Sequence, residues 1–159
     1  MIEIIDIEKP EDSNIIIGQT HFIKSVEDIY EAIVETNPNI KFGIAFNEAS
    51  GDRLIRKDGN DNKLIDIAVK NAKNIGAGHI FVIVMREGWP INILRALKQV
   101  SEVVNIYVAT MNKCQVLIAK TDLGRGIVGV VDGEPPKDVE NDNDVEKRKR
   151  FLRNIGYKR

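Results

Sequence analysis

The sequence predicts an α/β (α+β) fold in a single domain, built as a mixed β-sheet with helices packed on it. Three observations predict it. Residues 79–85 (His79-Ile80-Phe81-Val82-Ile83-Val84-Met85) form a short, almost wholly apolar run, the length of a strand covered on both faces. Residues 26–34 and 64–75 instead repeat their apolar side chains at helical spacing. Short turn-like segments join the two patterns, so hairpins and strand–helix–strand crossovers share one chain.

In order, residues 2–8 and 14–20 read as strands split by the turn Pro10-Glu11-Asp12-Ser13. Ser25 reads as a helix cap, with Asp28 three residues on. Val26, Ile29, Tyr30, Ile33 and Val34 make the stripe of that helix, and Asn37-Pro38 stops it. Residues 41–49 form a strand, 53–56 an extended piece, and Lys57-Asp58-Gly59 a turn. Asn60 or Asp61 caps a helix with Leu64, Ile65, Ala68, Ala72 and Ile75 inward and Gly76 as its stop.

Beyond the strand at 79–85, Pro90 suits a first helical turn, with Ile91, Leu94 and Leu97 as the stripe. Trp89 reads as a core or interface aromatic rather than one that stacks on a base. Residues 103–110 and 115–121 are strands joined by the hairpin residues Met111-Asn112-Lys113. Residues 127–131 are a further buried strand. A polar segment from 137 to 149 then leads to a short helix that docks through Val145, Leu152 and Ile155.

Composition narrows the function classes. The chain has 159 residues, 43% hydrophobic and 30% charged, which suits a globular domain with a core of its own. A net charge of -1 lacks the basic excess that binds nucleic acid through phosphates. The single cysteine, Cys114, forms no internal disulfide framework, fits a reducing compartment and reads as a small buried apolar residue. The first residues alternate Ile with acids and lack the basic start and long apolar core of a signal peptide. No apolar run reaches the ~20 residues of a membrane span. The expectation is a cytoplasmic protein with no membrane or nucleic-acid partner. Abundant Ile, Lys and Glu hint at a heat-adapted source.

Chemistry is sought at strand ends and turns, where polar groups reach a ligand from a rigid base. In Gly76-Ala77-Gly78-His79 the small residues, Gly78 among them, let backbone approach a ligand. A neutral imidazole there is a nucleophile toward phosphorus. The plainer reading of His79 is a histidine bonded to a carbonyl at the core edge. Glu48, ending an apolar strand, is suited to orient an imidazole, act as a base or hold magnesium, or else to pair with a lysine in solvent. Arg53, Arg56 and Gly59-Asn60-Asp61 offer phosphate-binding guanidiniums and helix-start amides, or else an ordinary charged hairpin. Arg125, between Gly124 and Gly126, can reach an anion. His21 lies at the start of a helix and reads first as a boundary residue. No Walker A loop is present, and no metal-ligand cluster is indicated.

Taken in order, these segments resemble the adenosine-specific kinase family over nearly the whole chain, from Gly18 to Tyr157. The residues that carry the resemblance begin with Gly18-Gln19-Thr20-His21-Phe22-Ile23-Lys24, Val26-Glu27-Asp28 and Phe42-Gly43-Ile44-Ala45-Phe46-Asn47-Glu48-Ala49-Ser50-Gly51. Gly59-Asn60-Asp61, Gly76-Ala77-Gly78-His79, Pro90-Ile91-Asn92, Ala109-Thr110 and Gly129-Val130-Val131-Asp132-Gly133 follow. The resemblance implies one domain over residues 1–159, the last 23 of them a polar tail with a short helix. It implies binding of adenosine, AMP or ATP as small-molecule ligand, with Mg2+ as a candidate cofactor. It also implies a homo-oligomer, trimer or hexamer, with the site near a subunit boundary.

The family is associated with a phosphorylated histidine, which His79 matches best. Glu48 would then orient or deprotonate the ring. Arg53, Arg56 and Arg125 would offset phosphate charge. Asn60, Asp61, Gly78, Thr110 and Asn112 would contact nucleotide, and His21 and Lys24 are further candidates. The chain departs from the family pattern at Met111-Asn112-Lys113, and at Asn47 and Val108, where the family tends to have Cys. The alternative function is a nucleotide sensor or store without turnover.

Overall fold

The computed structural model describes residues 1–159. Its elements are β1 (Ile2–Asp6), β2 (Asn14–Thr20), α1 (Ser25–Thr36), β3 (Lys41–Asn47), β4 (Ile55–Gly59) and α2 (Asn62–Ile75). There follow β5 (Ile80–Arg86), α3 (Pro90–Lys98), β6 (Val103–Thr110), β7 (Cys114–Lys120), β8 (Arg125–Asp132) and α4 (Asp142–Asn154). The α+β class expected from the sequence is the class found. Its strands divide into a five-stranded sheet, β4-β3-β5-β2-β6, and a three-stranded one, β1-β7-β8. Neighbouring strands in both run antiparallel. The division arises because β1 pairs with β7, Ile2 opposite Ala119, a partner no local pattern encodes.

β5 is central because both its faces are apolar. Ile80, Val82 and Val84 face α2 and the smaller sheet, packing with Leu64, Ala68, Val116 and Ile118. Phe81, Ile83 and Met85 face α1 and α3, packing with Ile29, Ile33, Ile93 and Leu97. A fully buried side chain of this size contributes about 1.5–3 kcal/mol relative to exposure, so this one strand anchors both layers. α2 lies so close on β3 that a Cβ at Gly43 would be 2.2 Å from the Ile65 amide nitrogen. The helix is bounded as its sequence suggests. The Asp61 carboxylate accepts from the Leu64 N–H at 3.1 Å, and Gly76 closes the end at φ 62°.

Several details differ from the sequence reading. Ser25 is the first residue of α1 rather than its cap, and its hydroxyl bonds that of Thr20 at 2.5 Å inside the protein. In α3 the buried residues are Ile93 and Leu97, while Ile91 is 64% exposed. The buried face is set by Ile93 and Leu97 packing with Ile29, Ile33 and Phe81, and the first turn is closed by Trp89 N–H donating to Asn92 Oδ1 and Asn92 N–H to the Trp89 carbonyl, both at 2.9 Å. Trp89 itself is 52% exposed and so is no core residue. α4 buries none of its side chains. Its half-buried apolar residues are Val145 and Leu152, while Phe151 and, past its end, Ile155 and Tyr157 line a cleft beside α3. Cys114 is buried, which pushes its thiol up to about 11. No helix is long and apolar enough to cross a membrane.

Candidate functional site

The chain leaves α2 at Gly76 and turns into β5 through Gly78 and His79. His79 holds φ 58°, a left-handed conformation that costs an L-residue with a side chain about 1–2 kcal/mol. Its neighbours hold it there. Its N–H donates to the Asn47 carbonyl at 2.8 Å, and its own carbonyl accepts from Thr20 N–H at 2.9 Å. β3 and β2 thus clamp the turn from both sides. The half-buried imidazole stacks on Phe46, ring centroids 5.9 Å apart and planes 28° from parallel.

Arg56 is the cross-strand partner of Phe46, so its side chain leaves the sheet on the face where His79 stacks. It meets Glu48 there. Glu48 Oε1 accepts from Arg56 Nε at 3.0 Å and lies 2.9 Å from a terminal guanidinium nitrogen. Oε2 accepts from Leu54 N–H at 2.8 Å. The Leu54 N–H first, and Arg56 second, hold this carboxyl below the usual carboxylate range. These bonds place Glu48 beside the histidine's neighbours, without the direct imidazole contact expected of it.

Beside this group lies a cleft of about 650 Å³ lined by Asn47, Glu48, Arg53, Gly78, Lys73 and Arg125. Gly78 fits because a Cβ would come within 2.9 Å of the Ala49 Cβ. Arg53 also has a left-handed backbone, φ 53°. Arg125 reaches the cleft, but its guanidinium has a structural task. Nε donates to the Ile75 carbonyl at 2.9 Å and Nη1 pairs with Glu3 at 2.7 Å, tying β8 and β1 to the end of α2.

Sequence reasoning passed over Asn47 as a site residue. Its Nδ2 donates to the carbonyls of Ala72 (2.9 Å) and Ala77 (3.0 Å), which fixes the cleft floor. Its Oδ1 is buried with no donor facing it. A polar amide closing an apolar strand was the signal available.

His21 and Lys24 lie at the same end of the central sheet, just past Thr20. His21 is exposed and its N–H donates to the Glu102 carbonyl at 3.2 Å. Lys24 pairs with Asp28 and stands 3.8 Å from Glu102 Oε1. Glu102 is only 5% exposed; burial first, and Asp28 second, push its carboxyl up. Hydrogen bonding from Glu102 and then Lys24 holds Asp28 down. This acid pair was also missed, because Glu102 in Gln-Val-Ser-Glu-Val reads as a surface residue.

Four further candidates lie elsewhere. Asn60 is at the opposite end of β3, accepting from Phe42 N–H at 2.9 Å and donating to the Ile40 carbonyl at 2.8 Å. Asp61 caps α2 beside it. Thr110 pairs across from Ile15 at the start of β2, far from Thr20 at its end. Its hydroxyl accepts from Asn112 N–H at 3.0 Å, and the Asn112 amide donates to Asp132 at 3.1 Å. The structure therefore gathers His79, Glu48, Arg53, Arg56, Gly78 and Arg125 at one end, with His21 and Lys24 near. It leaves Asn60, Asp61, Thr110 and Asn112 at the other.

Comparison with known proteins gives the family and a near-identical fold. A family profile described as adenosine specific kinase matches residues 5–158. A crystal structure of the PH1918 protein from Pyrococcus horikoshii OT3 superposes with a TM-score of 0.96 at 47% identity, covering 100% of this chain and 98% of that one. No curated protein matches the sequence.

Proposed function

The chain belongs to the adenosine-specific kinase family, and from that premise we propose that it transfers a phosphoryl group on adenosine or its nucleotides through a phosphohistidine at His79. The observation that carries the reading is the strained, doubly clamped turn that holds the His79 ring against Phe46 beside the Glu48–Arg56 pair. Strain kept at a polar strand end is characteristic of sites that need a fixed group. An unprotonated ring nitrogen of His79 attacks the terminal phosphorus of ATP. The N–P bond forms, the bond to the bridging oxygen breaks, and ADP leaves. The adenosine 5′-oxygen then attacks the phosphorus, the N–P bond breaks and the hydroxyl proton passes to solvent, giving AMP and returning the imidazole to its starting form.

Arg56 and Arg53 offset phosphate charge in this reading, and Glu48 keeps Arg56 aimed. Magnesium would enter this reading bound to the nucleotide phosphates, whose charge Arg53 and Arg56 would share. A non-catalytic sensor is the second reading. It is favoured by the Glu48 carboxylate, whose two oxygens are taken up by Leu54 and Arg56 rather than left as a base.

Incubation with γ-labelled ATP, followed by mapping of the acid-labile label, tests the reading. Label on His79 that disappears in His79→Ala, and that chases into AMP when adenosine is added, is the expected result. Nucleotide binding without label or product would leave only the sensor. Label on His21 would move the chemistry to the Lys24–Asp28–Glu102 corner.

A further inference from the structure

The net charge of -1 conceals a segregation along the chain. The last 13 residues, 147–159, hold seven of the 23 lysines and arginines and none of the 24 acids. All seven cations are exposed. Arg148 pairs with Glu140 and Lys149 with Glu146, which leaves Lys147, Arg150, Arg153, Lys158 and Arg159 in no ion pair. The segment rests lightly on the domain. Every hydrogen bond and ion pair of residues 137–159 is made within that segment, and α4 buries none of its side chains.

Apolar surface lies beside these charges. At the opposite end of the central sheet from His79, a cleft of about 1240 Å³ separates α3 from the C-terminal segment. Five large apolar side chains line it while still in water: Trp89 (52% exposed), Ile91 (64%), Phe151 (60%), Ile155 (47%) and Tyr157 (48%). Exposed apolar side chains gathered at one spot mark a surface built to be covered. Lys147, Arg150 and Arg153 recur every third residue, a basic stripe along α4 beside Phe151 and Ile155. Across the cleft, Arg95 and Lys98 project from α3 and join none of the eight ion pairs of the chain. No carboxylate lines the cleft.

We infer that this face docks on an anionic lipid bilayer, with Trp89, Phe151 and Tyr157 entering the headgroup layer and the cations of α3 and the C-terminal segment lying on lipid phosphates. A helix with a basic stripe beside Phe and Ile has the pattern that lies in a membrane interface. Trp and Tyr settle at headgroup depth because one end of the ring is apolar and the other polar. Charge and apolarity together select this partner. A nucleic acid answers the cations but leaves Ile91 and Ile155 in water. An apolar protein surface covers the side chains but leaves the cations without a counterion. A second copy presenting the same face sets like charges against each other. The contact is peripheral, since no helix is long and apolar enough to cross a membrane. The lack of a spanning run, which predicts no membrane partner from the sequence, does not bear on a surface contact of this kind. The docking face shares no lining residue with the cleft near His79 and is independent of phosphoryl transfer there.

Trp89 is the single tryptophan of the chain, so its fluorescence reports this face alone. The full chain is titrated with vesicles of pure phosphatidylcholine and with vesicles of equal parts phosphatidylcholine and phosphatidylglycerol. The mixed vesicles are expected to shift Trp89 emission saturably to the blue and to carry the chain down on sedimentation. Pure phosphatidylcholine should bind at least about tenfold more weakly, and about 0.5 M salt should release the chain. The double variant Arg150→Ala/Arg153→Ala should raise the half-saturating lipid concentration about tenfold, while His79→Ala binds as the parent does. Arg150 and Arg153 are exposed, and a circular dichroism melt confirms that the variants fold. The inference is overturned by a response that is absent at millimolar lipid, that is equal for the two vesicle types, or that survives the double variant intact. A Trp89 response to poly(U) RNA with none to vesicles overturns it in favour of a nucleic acid. Emission that depends on chain concentration without vesicles overturns it in favour of a second copy. Loss of vesicle binding with labelling of His79 intact would leave phosphoryl transfer standing.

Discussion

The two ends of the central sheet are built on opposite principles. At the His79 end two residues hold strained backbone and the carboxylates are matched to cations, while Arg53 and Lys73 stay free of ion pairs. His79 and Arg53 both have positive φ, Glu48 is matched to Arg56, and Lys24 to Asp28. At the Trp89 end the strained residue is Glu87, φ 61°, in the turn before Trp89, and Arg95 and Lys98 stand unpaired beside exposed aromatics. Held geometry suits a group that reacts, because orientation is set before the substrate arrives. Open charge beside aromatic surface suits a group that is only bound. The same strands, β2 and β5, connect both ends, so one packed core supports two kinds of surface.

That shared support gives the largest expected effect. Gly43→Ala drives a Cβ into the backbone of α2 at Leu64 and Ile65 and should destabilise the fold by about 3 kcal/mol. Urea unfolding should show a lower midpoint, and labelling and the native Trp89 emission should fail at the same denaturant concentration. Separate failure would mean that the ends do not depend on one scaffold.

Arg53→Gly probes the strained end alone. It relieves a left-handed residue in an exposed loop and should stabilise the chain by about 1 kcal/mol. It should weaken ATP binding near His79 about tenfold while leaving the vesicle response of Trp89 unchanged. Isothermal titration beside urea unfolding measures both. A variant that is less stable than the parent would show that Arg53 is held by more than its backbone.

Two pH effects are smaller and opposite in sign. Glu102 has its carboxyl pushed up by burial, so folding favours the protonated form. Stability is full below the unfolded value and falls as pH rises through the folded one. Glu102→Gln should therefore raise the urea midpoint at neutral pH, and the gain should vanish in acid, where the parent is already protonated. Glu48 has its carboxyl held down by Leu54 and Arg56, so its contribution is present above the unfolded value and is lost as pH falls through the folded one. Glu48→Gln should flatten the acid limb of the midpoint-against-pH curve. The Trp89 cleft, with no carboxylate in its lining, should keep its affinity for phosphatidylglycerol vesicles over that acid limb better than the His79 end keeps ATP.

How much of this could be read in the sequence depends on how local the cause is. The buried strand β5 and the caps at Asp61 and Gly76 follow from patterns a few residues long, and they were legible, whereas the hairpin expected at residues 111–113 does not form because β6 and β7 join different sheets. The pairing of β1 with β7, and of Arg125 with Glu3 across more than a hundred positions, depends on tertiary packing and was not. His79 was singled out as a residue, but its left-handed backbone was hidden, since glycine is the usual sign of that conformation and the chain has histidine there. Ile91 was read inward because periodicity gives a stripe without its rotation, which the packing of Ile93 and Leu97 on α1 and β5 sets. The Asp28–Glu102 pair was invisible for the same reason as Arg125: two carboxylates far apart in sequence meet only in the fold.

The central claim, that the clamped histidine carries the phosphoryl group, meets its most direct test in the site of the label after incubation with γ-labelled ATP. The account predicts an acid-labile phosphate on His79, lost in His79→Ala and passed to added adenosine. Full labelling of the His79→Ala variant would contradict it.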